Sequence, residues 1–173
     1  MKATDLLTQQ HKKVKALFKK LEKGSGDAPA LLEELANDLA AHMAIEHELF
    51  YPAVIDLDES MVHESFEEHA LGEIAIKRLL AADPEGDDFK AKVTAARELI
   101  EHHAGEEEDE LFPKVDKAID SDRLNALGKE MKARFLEAQQ QGYEQLMAKG
   151  PAKTAADSAN LKLSRARARR RAA

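Results

Sequence analysis

The chain contains no cysteine and no tryptophan, and only 5% of its residues are aromatic. Without thiols there can be no disulfide framework, thiolate zinc site, iron–sulfur cluster or cysteine nucleophile. Any metal must then be held by His, Asp or Glu. Long apolar runs are lacking as well. The opening segment MKATDLLTQQHKKVKALFKK has no uninterrupted apolar stretch and no small-residue cleavage site, and no other segment is apolar enough to span a bilayer. A cytoplasmic location is therefore expected, with no membrane partner. Glycine (eight) and proline (five) are scarce among the 173 residues. No Gly-rich phosphate loop, dinucleotide fingerprint or G-x-S-x-G elbow is present.

What is present is mostly charge and helix-forming residues: 34% of the chain is charged and 43% hydrophobic, with a net charge of -7. That balance conceals a split. Residues 149–173 carry eight Lys/Arg and one acid, leaving 18 bases and 32 acids in residues 1–148, a net of -14. The expected organisation is one domain over 1–148 followed by a basic, disordered tail over 149–173, whose arginines would suit a nucleic-acid or protein contact.

Glycine and proline gather in KGSGDAP (23–29), ADPEGDD (82–88) and KGP (149–151). The segments between are rich in Ala, Leu, Glu, Lys and Met and show no strand pattern. The punctuation predicts helices over 4–22, 28–57, 60–82, 86–119 and 121–148, with Asp27 and Ser121 as N-caps. The fold class is all-α: an antiparallel up-and-down four-helix bundle with an additional C-terminal helix. Leu124, Leu127, Met131, Phe135 and Leu146 give that fifth helix an apolar face, for packing on the bundle or for a dimer contact. The oligomeric state, monomer or homodimer, stays open.

The chemistry lies in a repeat. His42, Glu46 and Pro52 stand at offsets 0, +4 and +10, and His103, Glu107 and Pro113 repeat them. His11 and His69 precede the two pairs by 31 and 34 residues. Residues three, four and seven apart share a helix face. His11 falls on the stripe of Leu7, Val14, Phe18 and Leu21; His42 on that of Leu35, Leu39 and Leu49. His69 joins Val62, Phe66, Ile76 and Leu80, and His103 joins Ala96, Leu99, Ile100 and Leu111. Each bundle helix thus aims one histidine at the core, and two add a carboxylate one turn on. Ionised carboxylates in an apolar core demand a cation. One turn between His and Glu lets both reach one ion or a pair of ions. Imidazole and carboxylate donors without sulfur suit iron best, with manganese or zinc less favoured. His47, His63 and His102 fall off the stripes and read as surface residues. Glu106, Glu108, Asp109 and Glu110 read as a solvated acidic face, with Glu48 their counterpart in the first half.

Ferritin-like sites use Glu-x-x-His, and no histidine here has a glutamate three residues before it. The doubled His-x-x-x-Glu pattern over roughly residues 4–115 instead resembles the hemerythrin family, in its bacterial HHE cation-binding branch. The resemblance implies a non-haem di-iron centre with His11, His42, His69 and His103 as terminal ligands and Glu46 and Glu107 as bridges. Oxygen-carrying members have a second histidine one turn after the third-helix histidine, where this chain has Glu73, on the right face for a seventh ligand. Two six-coordinate irons with such bridges would keep about two positions open, one of them closed by Glu73 if it binds. The resemblance implies a small oxidant as partner: dioxygen, peroxide or nitric oxide. Three functions follow from that: oxygen binding, sensing or detoxification; a di-iron redox enzyme that decomposes peroxide or oxidises iron; and iron handling with a partner-binding tail.

Overall fold

The structure, a computed structural model, describes residues 1–148. The expected basic tail lies outside the described residues. Among those residues there are helices and turns and no strand, as the bundle reading requires.

Helix α1 (Ala3–Glu22) opens with Asp5 reaching back to the backbone amide of Lys2 and closes with Lys19 and Lys20 in its last turn. These charges complement the helix dipole at both ends. Its buried face runs Leu7, His11, Val14, Phe18, Leu21, one residue per turn. Helix α2 (Ala28–Ile45) starts after Asp27, with Pro29 in its first turn where a missing N–H costs nothing. It packs against α1, α4 and α7 together, which is why Ala36, Leu39, Ala40, Ala41 and Met43 are all buried although they do not share one stripe.

The second predicted helix is not uniform. After Ile45 the chain makes a π-turn over Glu46–Phe50, then a short helix α3 (Tyr51–Val54). The fourth behaves identically: α5 (Phe89–Glu106), a π-turn over Glu107–Leu111, then α6 (Phe112–Ala118). The repeated prolines account for both. A proline ring clashes with the carbonyl four residues back and offers no N–H to it. The turn widens instead, so that the amide of Tyr51 bonds the Glu46 carbonyl and the amide of Phe112 bonds that of Glu107. Helix α4 (Glu59–Leu80) lies between, capped by the Asp58 side chain on the Met61 amide.

The fifth predicted helix is two. Helix α7 (Ser121–Gln141) stops at Gly142, whose φ of 80° favours glycine, and a single turn, α8 (Tyr143–Leu146), follows. Its N-cap is Asp120, which accepts from the Arg123 amide; Ser121 is the first helical residue instead of the cap. Helix α7 packs on α1 and α2 within the same chain, burying Leu124, Gly128, Met131 and Ala138.

Gly128 is where α7 crosses the start of α1. A Cβ there would sit 2.5 Å from the Met1 carbonyl oxygen and 2.9 Å from the Ala3 amide nitrogen. Gly128→Val is therefore expected to destabilise the protein by about 2 kcal/mol, as overpacking does, outweighing its modest gain in helix propensity. In a domain of this size that would read as a melting temperature lower by about 4–8 °C.

The apolar interior divides into two clusters. One, towards one end of the bundle, includes Val14, Phe18, Leu35, Ile76 and Val93. The other includes Leu7, Phe50, Val62, Leu111 and Met131. Each fully buried Leu or Ile contributes roughly 1.5–3 kcal/mol. Between the clusters, at the level of His11, His42, His69 and His103, lies a layer of buried polar groups.

Candidate metal centre

Six of the seven candidate ligands meet in that layer. His11, His42, Glu46, His69, His103 and Glu107 are each at least 96% buried, and each helix of the bundle supplies one histidine. His11 and His42 bring their Nε2 atoms to 3.2 Å of each other, and His69 and His103 to 2.8 Å. The carboxylates stand between these pairs. Glu46 Oε2 lies 3.1 Å from His42 Nε2 and 3.2 Å from His69 Nε2. Glu107 Oε2 lies 3.4 Å from His11 Nε2 and 3.7 Å from His103 Nε2. Two donor groups result, His11 with His42, Glu46 and Glu107, and His69 with His103 and Glu46.

The far side of each ring is held. His11 Nδ1 bonds Glu108 and His103 Nδ1 bonds Glu68; His42 Nδ1 bonds the Gln10 amide oxygen and His69 Nδ1 bonds His47 Nε2, every one at 2.8 Å. An Nδ1–H donating outward to an acceptor leaves the Nε2 lone pair facing inward. The repeat extends to these supports. Gln10 and Glu68 each precede the first histidine of a hairpin, and His47 and Glu108 each follow its glutamate. Spacing alone placed His47 and Glu108 on the surface. Both are half-buried instead, because they sit inside the π-turns, where the 3.6-residue step used to phase them no longer applies. The repeated one-residue offset was the signal that could have found them.

The aromatic ending each π-turn breaks the symmetry. Phe112 stacks on His11 with ring centroids 6.0 Å apart. Its counterpart Tyr51, absent from the sequence-based site, donates its hydroxyl to Glu107 Oε1 at 2.9 Å and lies 3.4 Å from His69 Nε2.

Glu73 stands apart from the six. It lies one turn beyond His69 as expected, but its carboxylate pairs with Lys77, which also donates to the Met147 carbonyl. It belongs to neither of the two buried donor groups. Helix phase placed Glu73 on the right side; the lysine one further turn along claims its charge. His63 and His102 are exposed, as predicted.

Burial and mutual proximity set the electrostatics of the layer. Burial, followed by the neighbouring imidazoles, pushes His42 and His69 well below the usual histidine range. Burial and the adjacent Glu107 push Glu46 well above the carboxylate range. Glu107 is opposed by its own burial, yet the surrounding imidazoles, His103 foremost, hold it at about 2. For His11, burial is outweighed by its bonds to Glu107 and Glu108, and its pKa rises. Burial and Glu107 raise Tyr51 well above its ordinary value, so the phenol keeps its proton.

Both oxygens of Glu46 and Oε2 of Glu107 are buried without a hydrogen-bond partner. Unsatisfied buried polar atoms are rare and costly, and four inward-facing imidazole nitrogens beside two carboxylates form a layer that metal cations can satisfy. The donor set therefore fits metal ions. Beside the rings is a cavity of about 20 Å³, lined by Val14, Leu39, Met43 and Ile100 along with the four histidines. It has room for one water-sized molecule.

Comparison with known proteins agrees with this geometry. Residues 2–115 match the family described as Hemerythrin HHE cation binding domain. A curated relative from Nostoc sp., named DNA nickase, is 27% identical over 144 residues, which are 81% of this chain and 41% of the relative. The chain thus spans about two fifths of that relative's length. The crystal structure of a hemerythrin HHE cation-binding domain-containing protein from Mycobacterium kansasii superposes with a TM-score of 0.74 at 26% identity, covering 90% of this chain and 98% of that one. This likeness extends past residue 115 into α7.

Proposed function

Because the chain belongs to the hemerythrin HHE cation-binding domain family, we propose that it is a non-haem di-iron protein that binds a small oxidant, dioxygen, peroxide or nitric oxide, for oxygen binding, sensing or detoxification. The observation that carries this reading is the buried layer of four Nε2 atoms and three carboxylate oxygens lacking any hydrogen-bond partner. His11 and His42 would hold one ion, His69 and His103 the other, and Glu46 and Glu107 would contact both. Imidazole with carboxylate favours iron, with manganese or zinc as weaker occupants. When bound, a pair of irons supplies electrons for reversible transfer to a small oxidant.

The chain's own residues do the rest. Glu108, Gln10, His47 and Glu68 fix ring orientation and tautomer, so that donor atoms need not reorganise when a cation arrives. The 20 Å³ cavity has room beside the rings for one small molecule. Tyr51 keeps its proton on a hydroxyl aimed at Glu107 Oε1. A peroxide-decomposing enzyme is the second reading. Tyr51 favours it, since breaking an O–O bond calls for a proton held close to the reacting atoms. The nickase activity of the Nostoc relative is not proposed for this chain. Residues 1–148, with 18 bases against 32 acids, repel a phosphate backbone.

The test begins with elemental analysis and anaerobic loading with ferrous iron, followed by exposure to each oxidant in turn. About two irons per chain and a near-ultraviolet to visible charge-transfer band on oxidation are expected. A reversible adduct with oxygen identifies a carrier or sensor, and steady oxygen release from peroxide identifies the enzyme. A fully loaded protein with no such band and no response to any of the three overturns both.

A further inference from the structure

The buried pair His103-x-x-x-Glu107 has a twin displaced by one residue, His102-x-x-x-Glu106. A one-residue step rotates a helix by about 100°, so the same His–Glu spacing appears again on the outer flank of α5. Glu68, next to His69 on α4, supplies a third donor there. Glu68 Oε1 lies 3.7 Å and Glu106 Oε1 3.4 Å from His102 Nε2, and one donor atom from each residue fits within 4.8 Å of the others. His102 is 62% exposed, but Glu68 only 12%, so the set is open to water and anchored on one side. A neutral imidazole offers one N–H at Nε2, which cannot satisfy two carboxylates at once. Glu64 and Glu110 add to the negative field around Glu106.

The repeat provides a comparison. The matching flank of the first hairpin carries Gln10, Ala41 and Ile45, and there Ala41 and Ile45 are fully buried. The donor set therefore belongs to one side of the bundle and is no by-product of the repeated motif.

We propose that Glu68, His102 and Glu106 form a surface site for one divalent transition-metal cation, separate from the buried centre and linked to it through Glu68. Three protein donors with water in the remaining positions is an ordinary arrangement for such ions. The link is geometric: Glu68 presents Oε1 to this site while its Oε2 accepts from His103 Nδ1 at 2.8 Å. A cation on Oε1 withdraws charge from the carboxylate that supports the His103 ring, so surface occupancy is felt inside. Only this link rests on the di-iron reading; the surface site does not.

The experiment is calorimetric titration of Zn²⁺ into the full chain carrying its resident metal, with metal content checked before and after. Wild type is expected to take up one additional Zn²⁺ per chain. His102→Ala and, independently, Glu106→Gln should each lower that affinity at least tenfold and leave resident metal unchanged. His63→Ala, at the other exposed His–Glu pair with Glu59, should have no effect. Absence of additional Zn²⁺ uptake, equal uptake by His102→Ala, or loss in His63→Ala would overturn the site. Where iron is resident, Zn²⁺ should shift its absorption band in wild type and not in His102→Ala; binding with no shift overturns the link. A chain that lacks resident iron yet loses Zn²⁺ on His102→Ala would sink the di-iron reading and leave the surface site standing.

Discussion

Replacing Glu46 by glutamine is expected to give a protein that melts higher without metal, and replacing Glu107 as well to give one that no longer retains iron. Both effects trace to the buried carboxylates. In the metal-free chain these carboxylates are buried with unpartnered oxygens, and burial with mutual repulsion already forces a proton onto Glu46. Glutamine has nearly the shape of that protonated acid and adds N–H donors, which at 3.1–3.2 Å can reach the inward nitrogens of His42 and His69. Removing the cost of keeping that proton and pairing the amide stabilises by about 1–3 kcal/mol, whereas Glu107, held ionised by the imidazoles, contributes stability and stays in place for this measurement. The double change, Glu46→Gln with Glu107→Gln, removes the only anionic groups among the six donors, leaving four neutral imidazoles to face two dications. Bound iron should fall from about two per chain to a level near background, at least a thousandfold loss in affinity. Denaturant melts of metal-free protein and elemental analysis after loading read the two effects separately. Wild-type iron content in the double variant would refute the assignment of Glu46 and Glu107 as metal-holding groups.

The parts of this site that were legible in the sequence are those governed by the regular helix. A period of 3.6 residues, applied to His11, His42, His69 and His103 among their leucines and valines, is enough to turn all four inward. The doubled His-x-x-x-Glu spacing carries Glu46 and Glu107 with them. The bundle itself follows from the same stripes. What escaped lies where helix regularity fails or where a partner from a distant segment decides. His47, Glu108 and Tyr51 occupy the π-turns or the residue after, and in the sequence the prolines that cause them mark only the repeat. Gln10 and Glu68 flank inward histidines, and only the packed helices show that they reach across to the next histidine. Glu73 has the right phase, but phase cannot show that Lys77 bonds it. The fifth helix had an apolar face with two possible uses, and the contact of Gly128 with the start of α1 assigns that face to its own chain.

Metal-free protein is expected to lose stability on acidification from about pH 6.5 towards 4.5, with the slope of about one net proton. Burial, then the neighbouring imidazoles, depresses His42 and His69 in the folded state. Below about 6.5 the unfolded chain therefore gains two protons that the native chain refuses. Glu46 opposes this by one proton, since its raised native pKa means the folded chain already holds a proton that the unfolded carboxylate takes only near 4.5. The net is one proton, hence one unit of slope. His11 adds none in this window. Its raised pKa gives a contribution complete below 6.5 and lost as pH rises through the folded value. Below 4.5 the loss steepens, because Glu107 stays ionised down to about 2 in the folded chain. Iron at a thousand times its dissociation constant should add about 4 kcal/mol, or roughly 8–16 °C in melting temperature. That increment should shrink on acidification, because loading must displace the protons held by Glu46 and His11. Thermal melts at pH 5, 6 and 7, with and without iron, measure both slopes. A metal-free melting temperature that is flat across this range would mean that the imidazoles are not held neutral by burial, and the electrostatic account of the layer would fail with it.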